Sequence, residues 1–533
     1  MPSLNNLNTR ITLTAELLPI VVTSLLPLFF DLSYQINLYM IWEGAYRLSL
    51  NQLPYKDFGI PMGIYGWVMP ALFFKMFGAS LFTLAKTQAF MNIVSGLSFR
   101  WILINVGASA PVRFLCIVIF SLTYILGLYW PQYNHTVIIF QFVGFGFLFQ
   151  YFASPAGKWS LVNILMCSVF LTFSFFTKQD AGALAILIAL VLVAYYSFRV
   201  KTIKPAIWII GFLIVLFLLN ILPFLRHEFG YWFNYGQAPH YGRISLYDII
   251  RINMEESRWE KIYTLLVLGI YLYRKKYIGT TQMEDLFTLF VLGILAQAMI
   301  FQVTSYVPRD NNIFFHAFGC AYVLLSLFRL PNITSWATVT ILLVMIGIWW
   351  SEKYWKYADK VVARVLTPAI NKDVVSINTY ILEPPECNFF ANVAQWQLST
   401  TESFKHVRMP ASTVKGIDKI IETVKTIKAE KPPVVLNMSE LTPLAKEAGY
   451  TLAQGPLWYH LGVGLFDREL TSILTSINSN HYDVVIFENI PTLNNFYPFE
   501  VREALLKQYS LAYTFDAPRI VYPGTIEVYL PVK

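Results

Sequence analysis

The sequence predicts a polytopic α-helical membrane protein, about eleven transmembrane helices followed by a C-terminal soluble α/β domain. Three observations carry that prediction. The 533 residues are 56% hydrophobic and only 14% charged, with a mean hydropathy of +0.51, where a soluble domain carries about 25% charged residues. Before position 350 the apolar residues fall in repeated runs of about 17–25, long enough to cross a bilayer as helices. After it, charged residues return and short β-branched runs alternate with helical patterns. The expected division is 1–350 in the membrane and 351–533 outside it.

The expected spans are 14–30, 80–105, 111–129, 134–152, 159–177, 181–198, 205–223, 261–273, 285–304, 312–328 and 334–350. The first is an apolar run that stops at Asp31. Residues 31–78 then form the first outer loop. Its stretch 61–77 is apolar and proline-punctuated, and reads as an interfacial or re-entrant helix. Parity decides this. With the N-terminus inside, Arg10, Lys158, Arg199, Lys201, Lys204, Arg274, Lys275, Lys276 and Arg329 all fall on the cytoplasmic side, and a further span at 61–77 would move most of them outside. The polar segments 31–58, 130–135, 178–180, 224–260 and 305–312 then share the outer face with the C-terminal domain.

MPSLNNLNTR leads into an apolar run without a small-residue cleavage site, which reads as a retained first helix. The net charge of +8 sits largely in short loops, where it reports topology, not nucleic acid. Cys116, Cys167 and Cys320 lie in apolar runs and Cys387 in the C-terminal part, with no spacing that suggests a disulfide or zinc. In the C-terminal part VVSINTYIL, VVLN, DVVIF and IEVYL read as strands, and 413–430, 440–448, 467–478 and 499–509 as helices.

Several residues could carry chemistry. Asp31 is either a solvated helix end or, at the membrane surface, a general base for an acceptor hydroxyl or a ligand to a divalent metal. Lys56 and Asp57 lie in the turn LPYKDFGIP beside Tyr55; Lys56 either binds a phosphate or snorkels to the headgroups. The turn WPQYNH, with Tyr133, Asn134 and His135, is too bulky for a plain linker and reads as a site or a packed lid. Lys178, Gln179 and Asp180 join two spans with almost no loop: an internal ion pair, or a phosphate-binding lysine oriented by an acid. The long outer loop holds Arg226, His227, Glu228, His240, Arg243 and Arg251 among aromatics that suit sugar rings, isoprenoid chains or an interfacial belt. Arg309 and Asp310 form the last outer turn, as a second phosphate contact or a structural ion pair.

Asp31 at the end of the first span, the loop ending in PYKDF, the Lys178 corner and an outer C-terminal domain together resemble the GT-C glycosyltransferases. The branch is that of the protein O-mannosyltransferases and the lipid A aminoarabinose transferase. The resemblance covers residues 10–350 by layout, and is specific near Asp31, in the 50–78 loop and at Lys178. It implies integral-membrane enzymes that use polyprenyl-phosphate sugars, and makes Asp31 the catalytic carboxylate. Two departures stand out. Asp31 is followed by Leu32 where the O-mannosyltransferases carry an Asp-Glu pair, and Gln179 stands where Gly typically follows the lysine. They leave metal dependence and donor open, with Asp57 available as second acid.

The resulting expectation is an inverting glycosyltransferase of the bacterial inner membrane, multi-pass, with a cytoplasmic N-terminus and a periplasmic or extracellular C-terminal domain. Asp31 and Asp57 are its candidate catalytic acids. Lys56, Lys178 and Arg309 are expected to bind the donor phosphate. Tyr55, Tyr133, Asn134, His135, Gln179, Asp180 and Arg226 are expected to bind substrate. The expected partners are a polyprenyl-phosphate sugar donor, membrane lipid and a glycan, lipid or protein acceptor, and not nucleic acid. No cofactor is indicated beyond a divalent metal. The alternative is a non-enzymatic transporter or flippase of a lipid-linked glycan.

Overall fold

The computed structural model describes residues 4–59, 63–227, 250, 253–254, 257–305, 314–327, 379–380, 395–430, 433–461, 464–491, 496–520 and 522–532. Every expected span up to 312–328 coincides with a helix. In order these are α1 (Leu4–Leu25), α4 (Leu81–Asn105), α5 (Ala110–Phe120), α6 (Tyr133–Ala153), α7 (Ser160–Phe175), α8 (Gln179–Arg199), α9 (Lys204–Ile221), α10 (Arg258–Tyr277), α11 (Gln282–Ser305) and α12 (Phe315–Leu327). The span expected at 334–350 lies outside the described residues. Among those described, 5 helices are long and apolar enough to cross a membrane, or up to 6 if one bent pair forms a single span. Shorter apolar helices at Ala110–Ile125, Ser160–Phe175 and Phe315–Ser326 pack into the same core, through Leu115, Ile164 and Phe318.

The bent pair is α3 (Tyr65–Phe77) and α4, which turn on each other by 119°. Gly78 makes the corner with a φ of 82°, a conformation that glycine adopts without penalty. Ser80 then caps α4, its Oγ accepting from Thr83 N at 3.2 Å. Before α3, α2 (Leu38–Ser49) carries a buried face. Its Gly44 lets the Trp67 ring come so close that a Cβ there would sit 2.5 Å from it, and Trp67 Nε1 donates to Met40 O at 3.1 Å.

The apolar run that precedes Asp31 is not uniformly apolar. Glu16 is fully buried in α1, between Arg100 of α4 at 2.7 Å and Arg113 of α5 at 2.9 Å. A carboxylate at such depth is tolerable only when paired, so this triad ties α1, α4 and α5 together.

The C-terminal residues form a four-stranded sheet in the order β6-β8-β10-β9. Its strands are β6 (Val435–Met438), β8 (Val484–Asn489), β9 (Tyr509–Asp516) and β10 (Thr525–Pro531). β6 runs parallel to β8, and β10 antiparallel to both its neighbours. Successive strand residues point to opposite faces, and the packing follows. Val484 and Ile486 meet Ile417 and Val424 of α13 (Ala411–Glu430). Val485 and Phe487 meet Ile477 and Val501, from α14 (Asp467–Asn478) and α15 (Phe499–Gln508).

The expected helix at 440–448 is instead a turn ending in a single wide turn, Ala445–Gly449. β9 is a strand the sequence reading left out.

The first outer loop has no core of its own. Leu32, Tyr34, Tyr39, Trp42 and Trp67 pack in one cluster with Phe404, Val407, Met409, Leu441 and Leu457. Backbone pairing follows the same route. β1 (Asp31–Ser33) lies between β3 (Thr379–Tyr380) and β5 (Val407–Met409), parallel to both, and β4 (Gln397–Leu398) completes the sheet. β2 (Phe58–Gly59) pairs in parallel with β7 (Gly455–Pro456).

Candidate active site

Asp31 is the first residue of β1, and residues remote in sequence set its surroundings. Leu32 N donates to His406 O at 2.8 Å and Tyr34 N to Arg408 O at 3.1 Å, which aligns β5 beside it. His406 Nδ1 then lies 3.4 Å from Asp31 Oδ1, and Arg408 Nη2 lies 3.4 Å from Oδ2. Arg408 is held in turn by Trp396 O, to which its Nη1 donates at 3.2 Å. His406 has a left-handed backbone, φ 62°, and its ring lies 4.6 Å from that of Phe82.

A second cluster surrounds Lys178. Its Nζ is 3.3 Å from Asp180 Oδ2, 4.2 Å above the Phe301 ring and 5.8 Å from the Tyr133 ring. Burial lowers the Lys178 ammonium from its ordinary range, while Asp180 opposes that shift. Asp180 also accepts from Ala181 N at 2.8 Å, a favourable place for an acid at a helix N-terminus. Gln179 begins α8 half-buried beside them.

The first outer loop docks against this corner. Gly63 N donates to Thr177 O at 3.2 Å and Tyr65 N to Phe176 O at 3.3 Å. Tyr55 is buried against Phe176 and the edge of Phe224.

The 130–135 turn lies between the two clusters. Gln35 Nε2 donates to Tyr129 Oη, the Tyr129 ring meets that of Trp130 at 5.9 Å, and Tyr133 reaches Lys178. Trp130 and His135 are buried, and Asn134 is half-buried. The structure thus brings Tyr133, Lys178 and Asp180 together, packs Tyr55 on the neighbouring Phe176, and joins the 129–135 turn to the segment after Asp31 through Gln35. Lys56 is exposed beside Tyr55. Asp57 closes its own turn by accepting from Leu53 N at 2.8 Å, and receives Gln454 Nε2 at 3.4 Å. Arg226 is exposed just beyond α9. Glu228, His240, Arg243, Arg251, Arg309 and Asp310 lie outside the described residues.

Beneath the Asp31 strand lies a buried charge network. Glu440 accepts from Asn37 N at 3.0 Å and from Tyr34 Oη at 3.3 Å. Arg519 Nη2 donates to Glu440 at 3.0 Å and its Nε to Glu488. One guanidinium cannot neutralise two fully buried carboxylates. Burial pushes the Glu440 carboxyl up to about 8, Arg519 opposing and Glu488 adding to the rise. A similar lock joins α2 to the strand-forming segment at 455. Arg47 donates to Glu43 at 2.7 Å and to Ala453 O at 2.7 Å, and burial raises the Glu43 carboxyl against the pull of Arg47.

Among the described residues, the donor set at Asp31 does not suit a divalent metal. One of its oxygens faces the Arg408 guanidinium, whose positive charge repels a cation. Among the described residues no group of three His, Cys, Asp or Glu side chains could hold a metal ion.

This architecture is similar to that of a solved structure. ArnT from Cupriavidus metallidurans in the apo state matches over 98% of this chain and 97% of that chain, with a TM-score of 0.52 at 10% identity. The chain shares the fold of that structure. The same ArnT bound to undecaprenyl phosphate matches over the same shares at 11% identity and a TM-score of 0.47. An Archaeoglobus fulgidus oligosaccharyltransferase structure matches 62% of this chain at 10% identity and a TM-score of 0.40. The chain spans about half of that structure's length, 51%. No protein-family model matches the sequence, and no curated protein does.

Within this fold, the residues not singled out from the sequence are His406 and Arg408. They sit in FKHVRMP, where three strand residues before a proline give too short an alternation to announce a strand. Their partner is more than 370 residues away, at a separation of 377 for Arg408. Glu16 did carry a signal, since an acid in one apolar run and arginines in two others call for pairing.

Proposed function

We propose that the protein is a membrane glycosyltransferase that moves a sugar from a polyprenyl-phosphate donor to a glycan, lipid or protein acceptor. The observation that carries this reading is Asp31. On a GT-C fold it stands at the end of the first apolar helix, on a strand that holds its carboxylate between two fixed partners. The reaction runs at the outer face of the bacterial inner membrane, with the N-terminus cytoplasmic and the C-terminal domain outside.

Asp31 takes the proton of the acceptor hydroxyl. The acceptor oxygen bonds to the anomeric carbon as the bond from that carbon to the phosphate oxygen breaks. Its electron pair leaves with polyprenyl phosphate. Attack opposite the leaving group inverts the anomeric centre. Lys178, Lys56 and Arg309 stabilise the charge that develops on the phosphate. Tyr133 and Tyr55 shape the donor side, with Asn134, His135, Gln179, Asp180 and Arg226 around it, and Asp57 is the second acid. No step is assigned to a metal.

The test is the purified wild-type protein incubated with a membrane lipid extract. Release of polyprenyl phosphate, with a product of inverted anomeric configuration, is the expected result. Absence of release, with glycolipid movement intact in sealed vesicles, would replace the enzyme with a flippase.

A further inference from the structure

The C-terminal part meets the first outer loop by strand pairing as well as by packing. β5 is three residues long, and its backbone bonds to Leu32 and Tyr34 leave Asp31 at the open end of the pairing. There the two oxygens of the carboxylate meet different side chains from one short segment, His406 on Oδ1 and Arg408 on Oδ2, each at 3.4 Å.

Both of these side chains are themselves constrained. Arg408 is tied to Trp396 O. The left-handed backbone at His406 and the Phe82 ring, tilted against the imidazole at 4.6 Å, narrow the positions the imidazole can take. A lone aspartate at a helix end would sample several rotamers. One with a partner on each oxygen keeps one orientation, and a misplacement of about 1 Å can cost about a hundredfold in rate. Charge-assisted hydrogen bonds from an arginine also specify direction more sharply than a point charge does.

We propose that Arg408, with His406 beside it, is a positioning residue for Asp31, so that the C-terminal part completes the active site by orienting its base. This rests on the glycosyltransferase reading above. It gives residues 395–430 a role in the chemical step without contact with the donor.

The test uses the full-length protein and the membrane lipid extract as donor source, with polyprenyl phosphate release read at saturating and half-saturating amounts of extract. Arg408→Gln is expected to lower kcat by about ten- to a hundredfold and leave the half-saturating amount within about twofold of wild type. Arg408→Lys keeps the cation without its planar fork and is expected to recover part of the loss. The Lys variant serves alone should the Gln variant not fold.

Wild-type kcat in Arg408→Gln overturns the proposal. So does a raised half-saturating amount, which would make Arg408 a donor contact. An Arg408→Lys variant no faster than Arg408→Gln, or as damaged as a non-conservative change when measured alone, also overturns it. Asp31→Asn measured alongside separates the two claims. If it turns over like wild type, the reading of Asp31 as base fails. If it is inactive while the Arg408 variants are normal, only the positioning role fails.

Discussion

Gly63 is where the first outer loop meets the Lys178 corner. A Cβ on it would lie 1.6 Å from the Phe176 carbonyl oxygen, and backbone on both sides leaves little room to yield. Gly63→Ala is therefore expected to destabilise the protein by about 1–3 kcal/mol and to lower its melting temperature in detergent; an unchanged melting temperature would show that the loop relaxes freely. Glu440 makes a different prediction at the same scale. Its carboxyl is raised from the ordinary 4.5 to about 8 by burial. Between those two values the folded chain holds a proton that the unfolded chain has released, so stability falls as pH rises through that window. Melting temperatures taken from about pH 5 to about pH 8 should show this slope, and Glu440→Gln, which does not titrate, should flatten it. The sequence offered no sign of this site, because Glu440, Glu488 and Arg519 are ordinary surface residues until the fold buries them together.

At the scale of elements, α2 is held by its apolar face and carries a buried ion pair, Glu43 with Arg47. Removing one partner leaves the other charged and dry, which costs about 3–5 kcal/mol, whereas replacing both is often neutral. Arg47→Ala should thus lower stability by about that amount, and Glu43→Gln combined with Arg47→Met should restore most of it, as read by thermal unfolding in detergent. Long helices were legible because an apolar run of bilayer length has few other meanings. The separate helix before Gly78 was legible as an apolar, proline-punctuated stretch that charge parity kept from being a further span. Short elements were not. β1 and β5 have three residues each and take their hydrogen bonds from partners remote in sequence, each other among them. The 440–448 stretch has helix-forming composition, yet Pro443 near its start and Gly449 at φ 72° confine it to a turn. β9 alternates in burial only weakly, with most of its residues facing solvent or half-covered, so period-two reasoning passed over it.

For the whole molecule, the sequence reading grouped five distant segments on one face by charge parity alone. Contacts among the described residues join three of those segments, the first outer loop, the 130–135 turn and the 178–180 corner, and link the first outer loop to the C-terminal strands. Such convergence supports the proposed topology, which a labelling experiment checks. A cysteine at Ser476, exposed in part on α14, should react with a membrane-impermeant reagent added to intact spheroplasts. One at Lys201, in the basic loop after α8, should react only after lysis; the reverse pattern would invert the protein in the membrane. What the sequence could not supply was the dependence of Asp31 on residues 406 and 408, a relation made by pairing between strands at opposite ends of the chain. The account as a whole turns on that aspartate. The most direct measurement compares wild type and Asp31→Asn, purified in equal amount, for release of polyprenyl phosphate from membrane lipid extract. The account predicts steady release by wild type and a loss of about a hundredfold or more in the variant; equal release by the two would contradict it.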